Sequence, residues 1–124
     1  MNVPAELLYT KEHEWIRMEG QTAVIGITDH AQDKMGDIVF VELPSVGAHI
    51  EAAAPLANLE SVKAVSEVFM PQSGTVEAVN TTLEAAPESL NTDPYGSWIF
   101  KFEADPAGLQ GLLDAAAYRQ LIGE

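Results

Sequence analysis

Short runs of alternating apolar and polar residues, separated by glycine and proline, fill most of the chain. The two runs in WIRMEGQTAVIGIT flank Glu19-Gly20-Gln21, which is the spacing of a β-hairpin. Further strands are predicted in IVFVEL, PLANLES, AVSEVFM, TVEAVN and WIFKF. Many short strands joined by glycine and proline turns predict a mainly β chain, built as a sandwich or a barrel.

A short helix is predicted at residues 29–35, within TDHAQDKMGD. Asp29 is the predicted N-cap, because Gln32 stands three residues later in the capping-box position. Gly36 is the predicted end of this helix, since glycine readily adopts the backbone conformation that follows a helix. The helix therefore interrupts the strands between the first hairpin and IVFVEL.

The end of the chain is predicted to be a helical tail over about residues 106–122. Pro106 stands at a natural first helical position, and Asp114 is placed to cap a second helix. Residues 81–97, by contrast, read as a long polar connection with two prolines. We expect the tail to pack on the outside of the β structure.

Length and composition indicate one domain, residues 1–124. A chain of 124 residues, 47% of them hydrophobic, buries about two-thirds of its unfolded surface. It therefore needs no disulfide or metal cross-links to hold its fold. It has no cysteine, which excludes disulfides and thiolate metal sites. No apolar run approaches the ~18 residues that span a bilayer. MNVPAELLYT lacks the features of a signal peptide, so we expect a mature, cytoplasmic chain.

The net charge of −13 narrows the range of partners. A surface this acidic repels nucleic acid and anionic lipid, so we expect neither nucleic-acid binding nor membrane binding. The charge also serves solubility, and it could steer the chain toward basic faces of protein partners. Charge alone does not separate these two roles.

The sequence contains no recognisable active site of its own. It lacks the nucleophile-elbow, phosphate-loop and dinucleotide-binding glycine motifs. His13, His30 and His49 do not have the spacing of zinc ligands, so no metal site is predicted. Ser73 lies in a turn without a neighbouring base. We therefore expect a protein that is not an enzyme.

One lysine stands out. Lys63 is at the centre of LESVKAVSEV, in a chain with only six Lys and Arg residues against nineteen Asp and Glu residues. The segments before and after it have similar length and pattern, which predicts a hairpin over about 55–70 with Lys63 exposed at its tip. Such a lysine suits the attachment of a covalent group. The alternative is an ordinary solvated or edge-guarding lysine.

The segment ESVKA, residues 60–64, resembles the lipoyl-lysine site of the glycine cleavage system H protein family. Further blocks follow the order of that family, from about Leu7 to Gly123: YTKEHEWIR, VIGITDHAQDKMGDIVFVELPSVG, ESVKAVSEVFMPQSGTVEAVN, NTDPYG and LLDAAAYRQLIGE. The chain departs from the family at two connections. The usual glycine before the lipoyl strand is replaced within Glu51–Pro55, and Tyr95–Trp98 is a residue shorter than is common.

The resemblance implies a lipoyl/biotinyl-type flattened barrel, a barrel-sandwich hybrid of two antiparallel sheets extended by helices at both ends. It implies lipoate joined to Lys63 by an amide. It also implies a non-catalytic carrier that takes the aminomethyl group of glycine from a pyridoxal-phosphate glycine decarboxylase to a tetrahydrofolate aminomethyltransferase. A flavin enzyme, dihydrolipoyl dehydrogenase, then reoxidises the carrier. The bond-breaking and bond-forming steps are carried out by the cofactors, and the carrier positions the lipoyl group for them.

Two groups of residues are candidates for roles around the arm. Recognition by the lipoylating enzyme is predicted at Glu60, Ser61, Val62 and Ala64, with simple hairpin geometry as an equal alternative. Contacts with the amine on the loaded arm are predicted at Glu14 and Glu67, with Glu12 secondary. Carboxylates suit this cation, and the family places the KEHEW block beside the lipoyl cavity. The alternative is that all three are solvated surface acids.

Other carriers of this general type fit less well. A lipoyl domain of a 2-oxo acid dehydrogenase complex usually has Asp before the lysine, and a biotin carrier usually has Met on both sides. Val62 and Ala64 argue against both. An unmodified structural or regulatory β-domain remains as an alternative, and an intact mass would distinguish these possibilities.

Overall fold

A computed structural model describes residues 1–124 and contains nine strands and four short α-helices. The strands are β1 (Leu8–Tyr9), β2 (Glu14–Glu19), β3 (Thr22–Ile27), β4 (Ile38–Glu42), β5 (His49–Ile50), β6 (Pro55–Ser61), β7 (Val65–Phe69), β8 (Gly74–Val79) and β9 (Phe100–Glu103). The helices are α1 (Asp29–Met35), α2 (Thr82–Ala85), α3 (Ser89–Thr92) and α4 (Ala115–Leu121), with a 3₁₀ helix at Pro106–Leu109.

All strand pairs are antiparallel, and they form two sheets. One sheet has the strand order β1-β2-β3-β9-β8-β5, and the other has the order β4-β6-β7. The first predicted hairpin is confirmed, because β2 pairs with β3 and Gly20 turns between them at a φ of 66°. The predicted mainly β, two-sheet fold is also confirmed. The sheets stay separate and do not close into one barrel.

The main core lies between the two sheets. Buried apolar side chains from both sheets, including Ile25, Leu59 and Phe100, pack into one cluster. A second cluster holds the C-terminal helix: the rings of Tyr9 and Tyr118 stack with centroids 4.7 Å apart. Burial of such large side chains contributes roughly 2 kcal/mol each. Met35 of α1 packs into the main cluster, and Tyr118 of α4 packs into the second.

Helix α1 spans the predicted residues, Asp29–Met35, but its N-cap lies one residue earlier than predicted. The N-cap is Thr28, whose Oγ1 accepts a hydrogen bond from the Ala31 N–H at 3.2 Å. The prediction of Asp29 as the cap is wrong, because Thr28 has the extended backbone that a cap requires, while Asp29 is already helical. The predicted end is confirmed: Gly36 has a φ of 76°, and its N–H bonds to the Gln32 carbonyl.

The segment 81–97 is more regular than its polar composition predicted. It contains α2 and α3, each one turn long, which bury Leu83 and Leu90. The chain end is less regular than predicted. The 3₁₀ helix stops at Leu109, and α4 begins only after Asp114, whose carboxylate caps it as expected. None of these helices has the length and apolar character needed to cross a membrane.

Candidate functional site

Lys63 lies exposed at the tip of the β6–β7 hairpin. The turn is closed by Ser61, whose N–H donates to the Ala64 carbonyl at 2.8 Å. The Ser61 Oγ accepts from the N–H groups of Lys63 (3.3 Å) and Ala64 (3.0 Å). Lys63 forms no ion pair, and Val62 and Val65 beside it are 74% and 68% exposed. The turn therefore presents one free amine among small and apolar side chains.

A cavity of about 240 Å³ opens beside this hairpin, between β7, the start of β2, and α1. It brings together the three predicted carboxylates, Glu12, Glu14 and Glu67. The sequence did not identify the apolar wall, which includes Ile27, Met35 and Leu59. Nor did it identify the other polar lining residues, which are His13, His30, Lys34 and Ser66.

Glu14 is the buried carboxylate of the cavity, with only 2% of its surface exposed. Its Oε2 accepts from the Phe69 N–H at 2.6 Å, and its Oε1 accepts from the Thr10 hydroxyl at 3.0 Å. Burial raises the pKa of Glu14 to about 7, although these two hydrogen bonds lower it and Glu12 adds a small increase. Glu14 thus titrates near neutrality, and a nearby cation would favour its ionised form.

Two histidines also line the cavity. His13 adopts a φ of 69°, and its Nδ1 lies 2.8 Å from the Tyr118 hydroxyl on α4. Its ring centroid is 4.8 Å from that of His30. Burial lowers the pKa of His13, and the positive charge that His30 carries when protonated lowers it further, against the opposing effect of Glu12. His13 is consequently neutral at physiological pH and adds no positive charge to the cavity.

A larger groove of about 400 Å³ adjoins the cavity and shares Glu12 and Glu14 with it. The β7 residue that lines this groove is Phe69, six residues from Lys63, which corresponds to about 20 Å along a strand. The smaller cavity starts at Ser66 and Glu67, much nearer the lysine. The smaller cavity is therefore the better candidate for contacts with a group on Lys63.

The groove also contains the departure noted at Glu51–Pro55. Ala53 has a φ of 67°, a left-handed conformation that costs a residue with a Cβ about 1 kcal/mol. Its N–H donates to the Met70 carbonyl at 2.8 Å, and the Met70 N–H donates to the Ala54 carbonyl at 2.9 Å. This turn keeps its hydrogen bonds although glycine is absent from it.

Comparisons with known proteins decide between the carrier types. A family model described as Glycine cleavage H-protein matches residues 7–124. This chain belongs to the glycine cleavage H-protein family. The glycine cleavage system H protein of Herpetosiphon aurantiacus is 52% identical, with 99% of this chain and 95% of the relative covered. That of Klebsiella pneumoniae is 56% identical, with 98% and 96% covered.

A solved structure supports the same assignment. The crystal structure of a glycine cleavage system H protein from Mycobacterium marinum matches this chain with a TM-score of 0.90 and 34% sequence identity. The match covers 98% of this chain and 100% of the other. The predicted role of a lipoate-bearing carrier in the glycine cleavage system is confirmed at the level of the family. A 2-oxo acid dehydrogenase domain and an unmodified structural domain are not favoured.

Proposed function

We propose that Lys63 carries lipoate as an amide and that the cavity beside it holds the amine which this arm collects from glycine. The observation that carries the proposal is the placement of a free, exposed lysine at the hairpin tip, a few residues from a cavity that contains three carboxylates. When bound, lipoate supplies a strained disulfide that accepts the aminomethyl group. The residues present fit such a group, because the cavity combines an apolar wall with acceptors for a cation.

The hairpin would present the arm, and the cavity would protect what it carries. Glu14, already buried and bonded to Phe69 and Thr10, would accept a charge-assisted hydrogen bond from the amine. Glu67, which is exposed on β7, would contribute a second contact near the entrance, and Glu12 would be secondary. Met35 and Leu59 would cover the hydrocarbon part of the arm and exclude water. The loaded amine would then be held away from solvent between partners.

Recognition by the lipoylating enzyme is proposed to use the residues around the lysine unequally. The hydroxyl and the N–H of Ser61 are already hydrogen-bonded within the turn, so its role is to shape the tip. Glu60, Val62 and Ala64 are exposed and available to an enzyme. We therefore expect these three residues to be read directly and Ser61 to act through the backbone.

The proposed partners are those of the system to which the family belongs. They are glycine decarboxylase, aminomethyltransferase, dihydrolipoyl dehydrogenase and the lipoylating enzyme. The carrier itself would catalyse no step, since Lys63 and the cavity together provide attachment and shelter without a nucleophile–base pair of their own. The cytoplasm is the proposed compartment, and fractionation of the host cell tests it.

Intact mass tests the attachment. The purified chain, treated with a lipoylating enzyme and lipoate, should gain one lipoyl increment, and peptide mapping should place it on Lys63. Lys63→Arg should gain nothing, because a guanidinium is not acylated under these conditions. Lys11→Arg is the matched control and should still be modified. A biotinyl increment, or modification of the Lys63→Arg variant, would contradict the proposal.

A further inference from the structure

The NTDPYG segment contains a side chain that binds the turn beside the lysine tip. Asn91 lies half-buried on α3, more than fifty residues along the chain from its partners. Its Nδ2 donates to the Gly36 carbonyl at 2.9 Å and to the Gln32 Oε1 at 3.0 Å. Its Oδ1 accepts from the Ile38 N–H at 2.9 Å. One amide therefore fixes the end of α1, the turn and the start of β4 together.

This turn supports the hairpin tip from one side. The Asp37 carbonyl accepts from the Val62 N–H at 3.3 Å, and Ile38 is the strand partner of Ser61. The opposite strand of the hairpin, β7, is the edge of its sheet and has no neighbour beyond it. The position of the tip consequently depends on the turn that Asn91 holds.

The lysine side chain itself lies over this turn. A Cβ built on Gly36 would be only 3.3 Å from the Lys63 Cε, closer than most such contacts. Gly36 also has a φ of 76°, so glycine is required there for conformation as well as for clearance. The bare backbone of Gly36 forms a seat across which the side chain of Lys63 runs.

The seat lies at the border of the carboxylate cavity. Lys34 and Met35, which immediately precede Gly36, line the cavity from α1, and Ser66 and Glu67 line it from β7. A side chain that leaves the tip across Gly36 therefore starts at the rim of the cavity. Movement of the turn would change the starting direction of anything attached to Lys63.

We propose that Asn91 is a positioning residue for the arm: by fixing the Gly36–Asp37 turn it directs a group on Lys63 into the carboxylate cavity. The inference rests on the proposed function for the purpose of the arm, but the direction of the arm can be measured without lipoate. Asn91 does not line the cavity and forms no hydrogen bond with the lysine, so it acts through the turn and the end of α1 to which it is bonded.

A spin label tests the direction. The chain has no cysteine, so Lys63→Cys provides one site for a nitroxide arm. In that background the amide signals of Lys34 and Glu67, at the cavity, should broaden more than those of Val39 and Phe40 on β4. Adding Asn91→Ala should remove the difference. Equal broadening at all four amides before Asn91 is changed would overturn the proposal.

Asn80→Ala is the matched control. Asn80 lies in the same connecting region, is also half-buried, and bonds to the Trp98 carbonyl and the Thr82 N–H, away from the hairpin. Asn80→Ala should leave the cavity broadening intact. If both alanine variants behave alike, Asn91 has only a general structural role and the proposal fails. Should Asn91→Ala not fold, Asn91→Asp keeps the acceptor for Ile38 while removing both donors, and it should disperse the label in the same way.

Lipoylated protein provides the second readout. Once the isolated carrier has been loaded, Asn91→Ala should release ammonia about fivefold faster than the parent protein, the effect of losing ~1 kcal/mol of preference for the cavity. Asn80→Ala should match the parent. An unchanged rate in Asn91→Ala would overturn the proposal. A parent chain that gains no lipoyl mass would instead refute the proposed function, while the spin-label result would still decide the role of Asn91.

Discussion

The hairpin tip and the carboxylate cavity are neighbours with opposite environments. At the tip, Lys63 is exposed, has no ion partner and is flanked by apolar side chains that face solvent. In the cavity, Glu14 is buried, holds two hydrogen bonds and has a pKa raised to about 7 by burial. The tip exposes its amine to other proteins, whereas the cavity keeps its carboxyl group away from solvent.

The difference indicates a division of work within one small fold. A group that must enter the active sites of other proteins needs a mobile stem on a firm base, which β6 and β7 provide. A reactive amine needs an acceptor that is already desolvated. That role is proposed for Glu14, because the free-energy cost of burying its carboxylate is met during folding. Neither region would suffice alone, and each can be perturbed separately.

The largest expected effect is at the tip. Lys63→Arg should abolish carrier activity in a reconstituted glycine cleavage assay while leaving the circular dichroism spectrum and thermal unfolding unchanged. Arginine keeps the charge but offers no amine for acylation. Lys11→Arg should retain full activity. Substantial activity of Lys63→Arg would separate the tip from the function and remove the basis of the comparison.

The next effect is at the cavity. Changing Glu14→Ala and Glu67→Ala together should leave lipoylation intact but accelerate ammonia loss from the isolated loaded carrier by about tenfold or more. Charge-assisted hydrogen bonds of ~1.5–3 kcal/mol would be lost. Glu77→Ala, an exposed acid on β8 that does not line the cavity, is the control. Ammonia release no faster than in wild type would exclude these residues as the shelter of the amine.

The buried carboxyl should also give the folded protein a distinctive pH dependence. The pKa of Glu14 rises from 4.5 to about 7 on folding. Between these values the folded chain keeps a proton that the unfolded chain has lost, so the free energy of unfolding should fall by about 3 kcal/mol as the pH rises. Glu14→Gln should remove this decrease, whereas Glu67→Gln, at an exposed position, should not.

Denaturant unfolding between pH 4.5 and pH 8 measures this slope. His13 contributes in the opposite direction, because burial lowers its pKa and the unfolded chain binds a proton there first. Its contribution is common to the wild type and both glutamine variants, so the comparison between them isolates Glu14. Identical slopes in the wild type and Glu14→Gln would show that folding does not raise the pKa of Glu14.

The smallest effect is expected at the base of the hairpin, far from the tip. Ala53→Gly should stabilise the protein by up to about 1 kcal/mol, because the left-handed backbone there strains a residue with a Cβ. Ala52→Gly, at an adjacent exposed position without this backbone, should be neutral or destabilising. Thermal unfolding measures both. Destabilisation by Ala53→Gly would mean that the turn tolerates alanine without strain.

The sequence predicted the tip better than the cavity. Lys63 was recognisable because cations are scarce and because ESVKA lies between two similar strand patterns, which are local features. Glu12, Glu14 and Glu67 were named as a group, but their different environments were not predicted. The Thr10 contact with Glu14 is local, but Phe69 contacts Glu14 from 55 residues away in the sequence, and no local pattern encodes that contact.

The errors in secondary structure have a common cause. Thr28 and Asp29 both carry an oxygen that can cap a helix, and only the extended backbone of Thr28 decides between them. In residues 81–97, the helices α2 and α3 are single turns whose stability comes from burying Leu83 and Leu90, not from helix propensity. In each case the local sequence allowed two structures, and tertiary packing selected the one that formed.

The contact between Glu14 and Phe69 has a further consequence for behaviour at high concentration. β7 is the edge of its sheet, and an unpaired edge strand is a template on which a second chain can add. The carboxylate of Glu14 occupies the Phe69 N–H, one of the groups that an incoming strand would need. A strand that paired there would break the hydrogen bond to Glu14 and leave a buried carboxyl oxygen without that donor.

A protein that must touch several different surfaces in turn has particular reason to avoid its own copies. The acid on the edge of β7 blocks strand addition at short range, and the net charge of −13 repels like molecules at longer range. Self-association is thereby opposed at the strand edge without closing the sheet. The open edge leaves room for the cavity, and the carboxyl that blocks the edge is the one proposed to receive the amine.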